Sequence, residues 1–167
     1  MNKWAFDGSS IEVINIPDNV EIIEQGAFSG CNKLSYVKLP ANLKAIKESA
    51  FMNCEDLQDL IIPEGVISIG MCAFYDCESL TNISIPNSLQ TVGYCAFGEM
   101  YYGNRNSSLK YNEEAGLKYL GNDVNKYLYL ADTTSTSITT ATINNNCKFI
   151  GSGAFAGCSL LTSIEIP

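Results

Sequence analysis

The sequence predicts a solenoid, a chain wound into stacked coils of short β-strands and turns with short helical turns between them. Two periodic features carry this prediction. Proline recurs every 23 residues, at Pro17, Pro40, Pro63 and Pro86. The pair Ala-Phe recurs with the same step, at residues 27–28, 50–51, 73–74 and 96–97. A fixed period of 20–50 residues is typical of repeat architectures, in which no single coil can bury its apolar face alone.

Composition restricts the kind of function. The chain of 167 residues carries 18 acidic and 10 basic residues, a net charge of −8, and its basic residues form no cluster. A phosphate backbone would be repelled, so we expect no nucleic-acid partner. Histidine is absent, which removes the commonest general base and the imidazole metal sites. We therefore expect no enzyme, no catalytic residues, no metal site and no cofactor.

The chain also lacks the signals of membrane insertion. It has no run of 18 or more apolar residues, the length that a membrane helix needs. Its first ten residues, MNKWAFDGSS, have no apolar segment of the kind that a leader peptide requires. We expect no membrane span in this segment.

Residues 4–17 are a degraded copy of the repeat, with Ala5-Phe6 as their Ala-Phe pair. The chain thus enters the pattern in mid-repeat, and it also leaves in mid-repeat at Ile166-Pro167. Terminal repeats of an array normally shield its open ends. We expect residues 1–167 to form a single domain that is a segment of a longer array; a short protein with frayed ends is the alternative.

Residues 18–97 hold the clearest copies. Leucine begins a strand motif at Leu34, Leu57, Leu80 and Leu161. Apolar residues follow three and five positions later, as in Val37 and Leu39, which is the L-x-x-L-x-L half of a leucine-rich repeat. Each motif predicts a short strand that proline ends. We expect a right-handed leucine-rich-repeat solenoid in which the four Ala-Phe phenylalanines form an aromatic column inside.

The seven cysteines also follow the repeat. Cys31, Cys54 and Cys77 lie 23 residues apart, and Cys72 and Cys95 form a second row. We expect small buried apolar side chains at these positions. A metal cluster, disulfide bridges and redox chemistry remain open, although no C-x-x-C pair occurs.

Residues 98–137 interrupt the pattern and are predicted to be an insertion. Residues 98–116 are polar and rich in Gly, Asn and Ser, which predicts a loop. Residues 118–120 and 126–131 alternate like strands around a turn at 121–123, which predicts a β-hairpin. The repeat resumes at Ile138 and includes Ala154-Phe155.

At Ile62-Pro63, Val66, Ile69, Ala73-Phe74, Cys77, Leu80 and Ile83, the chain resembles the BspA-like leucine-rich repeats. The resemblance covers residues 5–97 and 138–167. It implies a bacterial protein that is exposed at the cell surface or secreted, and adhesion to host matrix proteins. It brings no catalytic motif.

Two sets of residues are candidates for ligand binding. The outward positions of the predicted strands differ from copy to copy, as a ligand surface requires, although solvated positions would differ too. The insertion holds six of the nine tyrosines, a residue type suited to recognition; packing of the hairpin onto the coils is the alternative. The candidates are Tyr36, Lys38, Asp59, Ile61, Asn82, Ser84, Tyr101, Tyr102, Tyr111 and Tyr119.

These observations predict a non-enzymatic adhesion module that binds a protein ligand, such as a host extracellular matrix protein. Two alternatives stay open. The Tyr-rich insertion could make the chain a glycan-binding module, or the coils could be a structural spacer.

Overall fold

The computed structural model describes residues 2–98, 106 and 108–167. They wind into a solenoid of about six turns of short parallel strands, which confirms the predicted fold class. The described residues form no helix. The segments around the Ala-Phe pairs are turns closed by bonds three residues back, such as Ala27 N–H to Glu24 O at 3.1 Å.

The first row of strands comes from the leucine motifs. It contains β1 (Val13–Asn15), β3 (Tyr36–Lys38), β5 (Asp59–Ile61), β7 (Asn82–Ser84), β12 (Thr140–Thr142) and β14 (Ser163–Glu165). The pairs β1–β3, β5–β7 and β12–β14 are parallel. In β3, β5 and β7 the middle residue points inward, so that Val37, Leu60 and Ile83 are buried while their neighbours face outward. This is the alternation that a half-buried strand predicts.

The second row lies half a coil further on. It contains β2 (Ile22–Ile23), β4 (Ala45–Ile46), β6 (Ser68–Ile69) and β8 (Thr91–Val92), which form one continuous parallel sheet. Later along the chain, β13 (Phe149–Ile150) occupies the same position in its coil. It pairs with β11 (Tyr129–Thr133) rather than with β8.

The phenylalanines form the predicted aromatic column. The rings of Phe6, Phe28, Phe51, Phe74 and Phe97 stack nearly parallel, with centroids 5.1, 5.1, 5.4 and 6.1 Å apart in sequence. The four later rings are fully buried, and burying one phenylalanine is worth about 1.5–3 kcal/mol. The column ends at Tyr129, whose ring meets Phe97 edge-on at 5.0 Å.

A column of thiols runs beside the rings. Each Sγ donates to a phenylalanine carbonyl one coil earlier: Cys31 to Phe6 O at 3.0 Å, Cys54 to Phe28 O at 3.2 Å, and Cys77 to Phe51 O at 3.2 Å. These cysteines are free and fully buried. Burial raises the pKa of the Cys77 thiol to about 12. They fill the core as predicted and also link successive coils.

The residue before every Ala-Phe pair lies in the left-handed region. The φ angles are 56° at Trp4, 62° at Gly26, 54° at Ser49, 52° at Cys72, 53° at Cys95 and 78° at Gly153. A second left-handed residue follows two positions after the phenylalanine in most coils, as at Gly30. These two residues confine each Ala-Phe segment to a turn, because a right-handed helix cannot continue through them.

Gly26 also makes room for the first coil. A Cβ atom at this position would lie 2.0 Å from a ring carbon of Trp4. Glycine therefore allows the Trp4 ring to lie directly on the backbone of the next coil.

The region from 106 to 133 departs from the regular coils. It contains β9 (Asn112–Glu114) and β10 (Leu117–Leu120), and the mixed sheet has the order β13-β11-β10-β9. The strands β10 and β11 are antiparallel, as in the predicted hairpin, but they belong to this larger sheet. The loop prediction for 98–116 was wrong for β9, because its backbone pairs with β10.

Part of this region fills positions of a regular coil. Leu109 N–H donates to Asn106 O, as Leu80 N–H donates to Cys77 O. Gly121 forms a parallel bridge with Ser84.

The buried residues form two clusters, a large one through the regular coils and a smaller one around Leu117, Tyr119, Leu130, Ala141, Ile143 and Ala154. Among the described residues, no helix is long and apolar enough to cross a membrane.

Candidate ligand-binding face

The outward side chains of β3, β5 and β7 form one face of the solenoid. Six sequence candidates lie on it: Tyr36, Lys38, Asp59, Ile61, Asn82 and Ser84. The parallel register sets Asp59 opposite Asn82 and Ile61 opposite Ser84. All are exposed except Ser84, which is half-buried. We call this surface the strand face.

The first groove of the strand face lies between β3 and β5. Its volume is about 700 Å³. Its floor and walls come from residues 35–39 and from Gln58, Asp59 and Ile61, and Asp18, Ala41 and Pro63 close its ends. The groove combines apolar surface with the charges of Lys38, Asp18 and Asp59.

The second groove lies between β5, β7 and the irregular region. Its volume is about 540 Å³. The strands contribute residues 59–61 and 82–84, and the irregular region contributes Lys110, Tyr111, Asn112, Gly121, Asn122, Asp123 and Lys126. Tyr111 was predicted as part of a separate surface, and the structure places it in the same groove as Asp59 and Asn82.

Asp59 and Ile61 line both grooves and form a ridge between them. The Ile61 side chain is 77% exposed, so most of its apolar surface is open to a ligand in either groove. The Asp59 carboxylate accepts hydrogen bonds from Asn82 Nδ2 at 2.5 Å and Thr81 Oγ1 at 3.0 Å. These two bonds hold the pKa of the Asp59 carboxyl below its ordinary value. The ridge thus offers an apolar contact beside an ionised acceptor.

Several groove residues were missed by the sequence reasoning. The segment 121–123 was interpreted as a hairpin turn, but it extends the strand face past β7. Ile85 N–H donates to Gly121 O at 3.0 Å, and Asn122 Nδ2 donates to Ile85 O at 2.7 Å. One signal was available in the sequence. Leu120 precedes Gly121 as the inward residue Ile83 precedes Ser84, which is the residue that bridges to Gly121. Without the strand-ending proline, that signal was too weak to find.

One tyrosine candidate lies inside the fold, and two others fall outside the described residues. Tyr119 was wrongly placed on a binding surface, since its side chain is fully buried in the smaller core cluster. Its hydroxyl oxygen accepts a hydrogen bond from Asn144 N–H at 3.2 Å, which satisfies its polar end inside the fold. Tyr101 and Tyr102 lie outside the described residues.

The other tyrosines of this region also pack inside. Tyr129 is buried against Phe97, and the ring of Tyr127 meets that of Tyr119 edge-on at 5.4 Å. Within residues 2–98, 106 and 108–167, no three His, Cys, Asp or Glu side chains are grouped so as to hold a metal ion.

The chain matches the sequence model described as "BspA type Leucine rich repeat region", in six copies over residues 1–114 and 123–167. No curated protein matches the chain.

Solved bacterial structures share its fold. A leucine-rich repeat protein from Bacteroides ovatus ATCC 8483 is 31% identical with a TM-score of 0.63, over 98% of this chain and 45% of that one. The T. pallidum leucine-rich repeat protein TpLRR is 25% identical with a TM-score of 0.58, over 98% of this chain and 60% of that one. The pneumococcal vaccine antigen PcpA, at 18% identity and a TM-score of 0.51 over 93% of this chain and 51% of that one, is similar in fold alone. This chain thus spans about half the length of these proteins.

Proposed function

Because the chain belongs to the BspA-type leucine-rich-repeat family, we propose that it is a non-enzymatic recognition module of a bacterial cell-surface protein. Its ligand is a protein, such as a component of the host extracellular matrix. The strand face is the binding surface, and the ridge of Asp59 and Ile61 is its centre.

The exposed position of Ile61 is the observation that carries this proposal. Ile61 is a large aliphatic side chain that is 77% exposed at the boundary of two grooves, where a bound partner can cover it. Such a side chain becomes favourable when a partner covers it, and binding energy concentrates at central contacts of this kind. Tyr36, half exposed on the neighbouring strand, adds aromatic area to the same groove.

Binding to immobilised host matrix proteins, such as laminin and fibronectin, tests the proposal. We expect Ile61→Ala to weaken binding by about tenfold or more, the effect of losing roughly 1.4 kcal/mol of contact energy. Ile67→Ala is the matched control, because Ile67 is 43% exposed just before β6 in the other strand row. Equal losses in both variants, or no loss at Ile61, would contradict a role for the strand face.

A glycan ligand is the second candidate function, and the second groove favours it. That groove combines the aromatic ring of Tyr111 with amide, carboxylate and ammonium groups, as in Asn122, Asp123 and Lys126. On a glycan array, this alternative predicts binding that Lys126→Ala lowers and that Tyr36→Ala, which changes the first groove alone, leaves intact. Failure to bind either class of ligand would instead support a spacer role.

A further inference from the structure

The strand ladder of the first row is interrupted between β3 and β5. At the β1–β3 junction, Ser35 N–H donates to Glu12 O at 2.9 Å and Ile16 N–H donates to Lys38 O at 3.0 Å. At the β5–β7 junction, Thr81 N–H donates to Gln58 O at 2.7 Å and Ile62 N–H donates to Ser84 O at 3.1 Å. Within residues 2–98, no backbone hydrogen bond joins β3 to β5.

The opening is local, because the same two coils remain in contact elsewhere. In the second strand row, β4 pairs with β6 in the regular register. In the core, the rings of Phe28 and Phe51 stack at 5.1 Å, as close as any pair in the column. The coils are therefore not displaced as a whole, and the gap is confined to the strand face.

The gap leaves backbone N–H and C=O groups of β3 and β5 without hydrogen bonds. The corresponding groups at the β1–β3 and β5–β7 junctions do have such bonds. By comparison with the neighbouring junctions, the missing bonds are Gln58 N–H to Ser35 O and Leu39 N–H to Ile61 O. Leu39 is only 7% exposed, and a buried amide without a partner is costly. The 700 Å³ groove lies directly over this gap and is lined by all four of these residues.

The charges at the gap are unbalanced. Among the described residues that line the groove, Asp18 and Asp59 are acidic and Lys38 is basic, and no ion pair joins Lys38 to either carboxylate. Besides the hydrogen bonds from Asn82 and Thr81, the nearby charge of Lys110 lowers the pKa of Asp59, but Lys110 lines the second groove. Hydrogen bonds already hold both carboxylates in place, from Ala41 N–H to Asp18 at 2.9 Å and from Asn82 and Thr81 to Asp59. The whole chain is acidic, with a net charge of −8. A cationic partner is complementary to this groove.

We propose that the β3–β5 gap is a subsite for an extended, cationic peptide segment of the protein ligand. The segment lies along the groove, and its main chain exchanges hydrogen bonds with the unpaired backbone groups of Ser35, Leu39 and Gln58. Strands β3 and β5 stay too close together for a whole strand to enter between them. Its Lys or Arg side chains meet Asp18 and Asp59, and an intervening apolar side chain covers Ile61. This inference rests on the proposed function and adds the chemistry of the ligand to it.

Titration of the protein with the peptide acetyl-Lys-Val-Lys-Val-Lys-amide, followed by backbone NMR, tests the subsite. We expect shifts in the amides of residues 35–39 and 58–62 and not in those of β6 and β8. Methylation of the two valine amide nitrogens keeps every side chain and removes two main-chain donors, so it should weaken binding by about tenfold. Equal binding of the methylated peptide, shifts confined to the other strand row, or no shift at millimolar peptide would overturn the proposal.

Charge variants and the free protein supply two further readouts. Asp59→Asn and Asp18→Asn should each weaken peptide binding several-fold, while the control Asp7→Asn, at an exposed turn in the first coil, should not. In the free protein, the Leu39 amide should exchange with solvent faster than the amides of Ile16 and Ile62, which hold the equivalent position in closed junctions. Equal protection at Leu39 would mean a closed ladder and would refute the subsite.

The two proposals can fail separately. Loss of matrix-protein binding in Ile61→Ala, together with no peptide binding, would keep the recognition function and remove the subsite. Peptide binding at the gap without matrix-protein binding would keep the subsite and remove that class of ligand.

Discussion

The regular coils of residues 2–98 and the later part of the chain, from Asn106 to Pro167, solve the same stacking problem by different means. In the regular coils, three kinds of contact repeat between neighbours: stacked rings, thiol-to-carbonyl bonds and the second strand row. In the later part, which begins with the irregular region, single residues replace several of these contacts. The comparison teaches that a solenoid needs continuous contact between coils, and that identical copies are only the simplest way to obtain it.

Asn106 shows the replacement most clearly. It follows Cys77 in the thiol column and is fully buried. Its Oδ1 accepts from Cys77 N–H at 2.8 Å, and its Nδ2 donates to Phe74 O at 2.7 Å and Phe97 O at 3.0 Å. One amide thus satisfies three backbone groups at the place where the 23-residue step is lost.

Lys148 also replaces a regular contact with a side-chain bond. Its Nζ, just before β13, donates to the carbonyls of Asn87 and Leu89, just before β8.

The aromatic column provides the largest test of the comparison. Phe51→Ala removes a fully buried ring that stacks on two others, so we expect the free energy of unfolding to fall by about 3–5 kcal/mol. Phe155→Ala, at the equivalent but half-buried position of the last coil, should cost less than about 2 kcal/mol. Urea denaturation measures both. Similar losses would show that the two regions depend equally on their phenylalanines.

The buried amide of Asn106 gives the next largest effect. Asn106→Leu keeps the volume but leaves Cys77 N–H and the carbonyls of Phe74 and Phe97 without it, which should cost about 2–4 kcal/mol. Asn112→Leu is the control, since Asn112 Nδ2 makes an exposed bond to Lys126 O, and it should cost less than about 1 kcal/mol. If the two variants unfold at the same urea concentration, Asn106 does not replace the regular contacts.

The thiol column predicts a dependence on alkaline pH. Desolvation raises the pKa of Cys54 and Cys77, to about 12 for Cys77, from an ordinary value of 9.0. Above pH 9 the unfolded chain therefore releases protons that the folded chain keeps, and stability falls as pH rises toward 12. The slope should reach about 1.4 kcal/mol per pH unit for each thiol and vanish below about pH 8.

Unfolding in urea at several pH values measures this slope. Cys77→Ala should lower it, whereas Leu57→Ala, a buried change in the same region that removes no thiol, should leave it unchanged. A wild-type slope that survives the cysteine substitution would show that other groups cause it.

The periodic part of the fold was predictable from the sequence. The 23-residue step located both strand rows, their inward residues and the aromatic column, and the family resemblance is confirmed. The cysteine positions predicted burial correctly for Cys31, Cys54, Cys77 and Cys95, but not for Cys72, Cys147 and Cys158, which are half-buried. The residue before each Ala-Phe pair has a left-handed backbone conformation. Glycine occupies this position in two copies, at Gly26 and Gly153, and these glycines could have predicted that conformation.

The irregular region could not be predicted because the spacing between equivalent residues changes there from the regular 23-residue step. Asn106 and Leu109 lie 29 residues after Cys77 and Leu80, six more than the regular step, and neither keeps the proline or Ala-Phe signals. The strand pairing that buries Tyr119 includes β9, whose polar residues Asn112–Glu114 show no strand pattern, and β11, which pairs in turn with β13. The second groove arises only once this region lies beside β7, and the first groove follows from the break in the strand ladder between β3 and β5. The contribution of the candidate residues to binding stays a prediction.

The ring of Trp4 lying on Gly26 makes the first coil separately visible to spectroscopy. Trp4 is the one tryptophan of the chain, and the buried tyrosines Tyr119 and Tyr129 belong to the far side of the register shift. Fluorescence excited at the indole band reports loosening of the first coil. The loss of near-ultraviolet circular dichroism on Tyr119→Phe and Tyr129→Phe identifies the part of that signal that reports the later sheet. Transitions that coincide would show one cooperative unit, and transitions that separate would reveal which end of the stack unravels first.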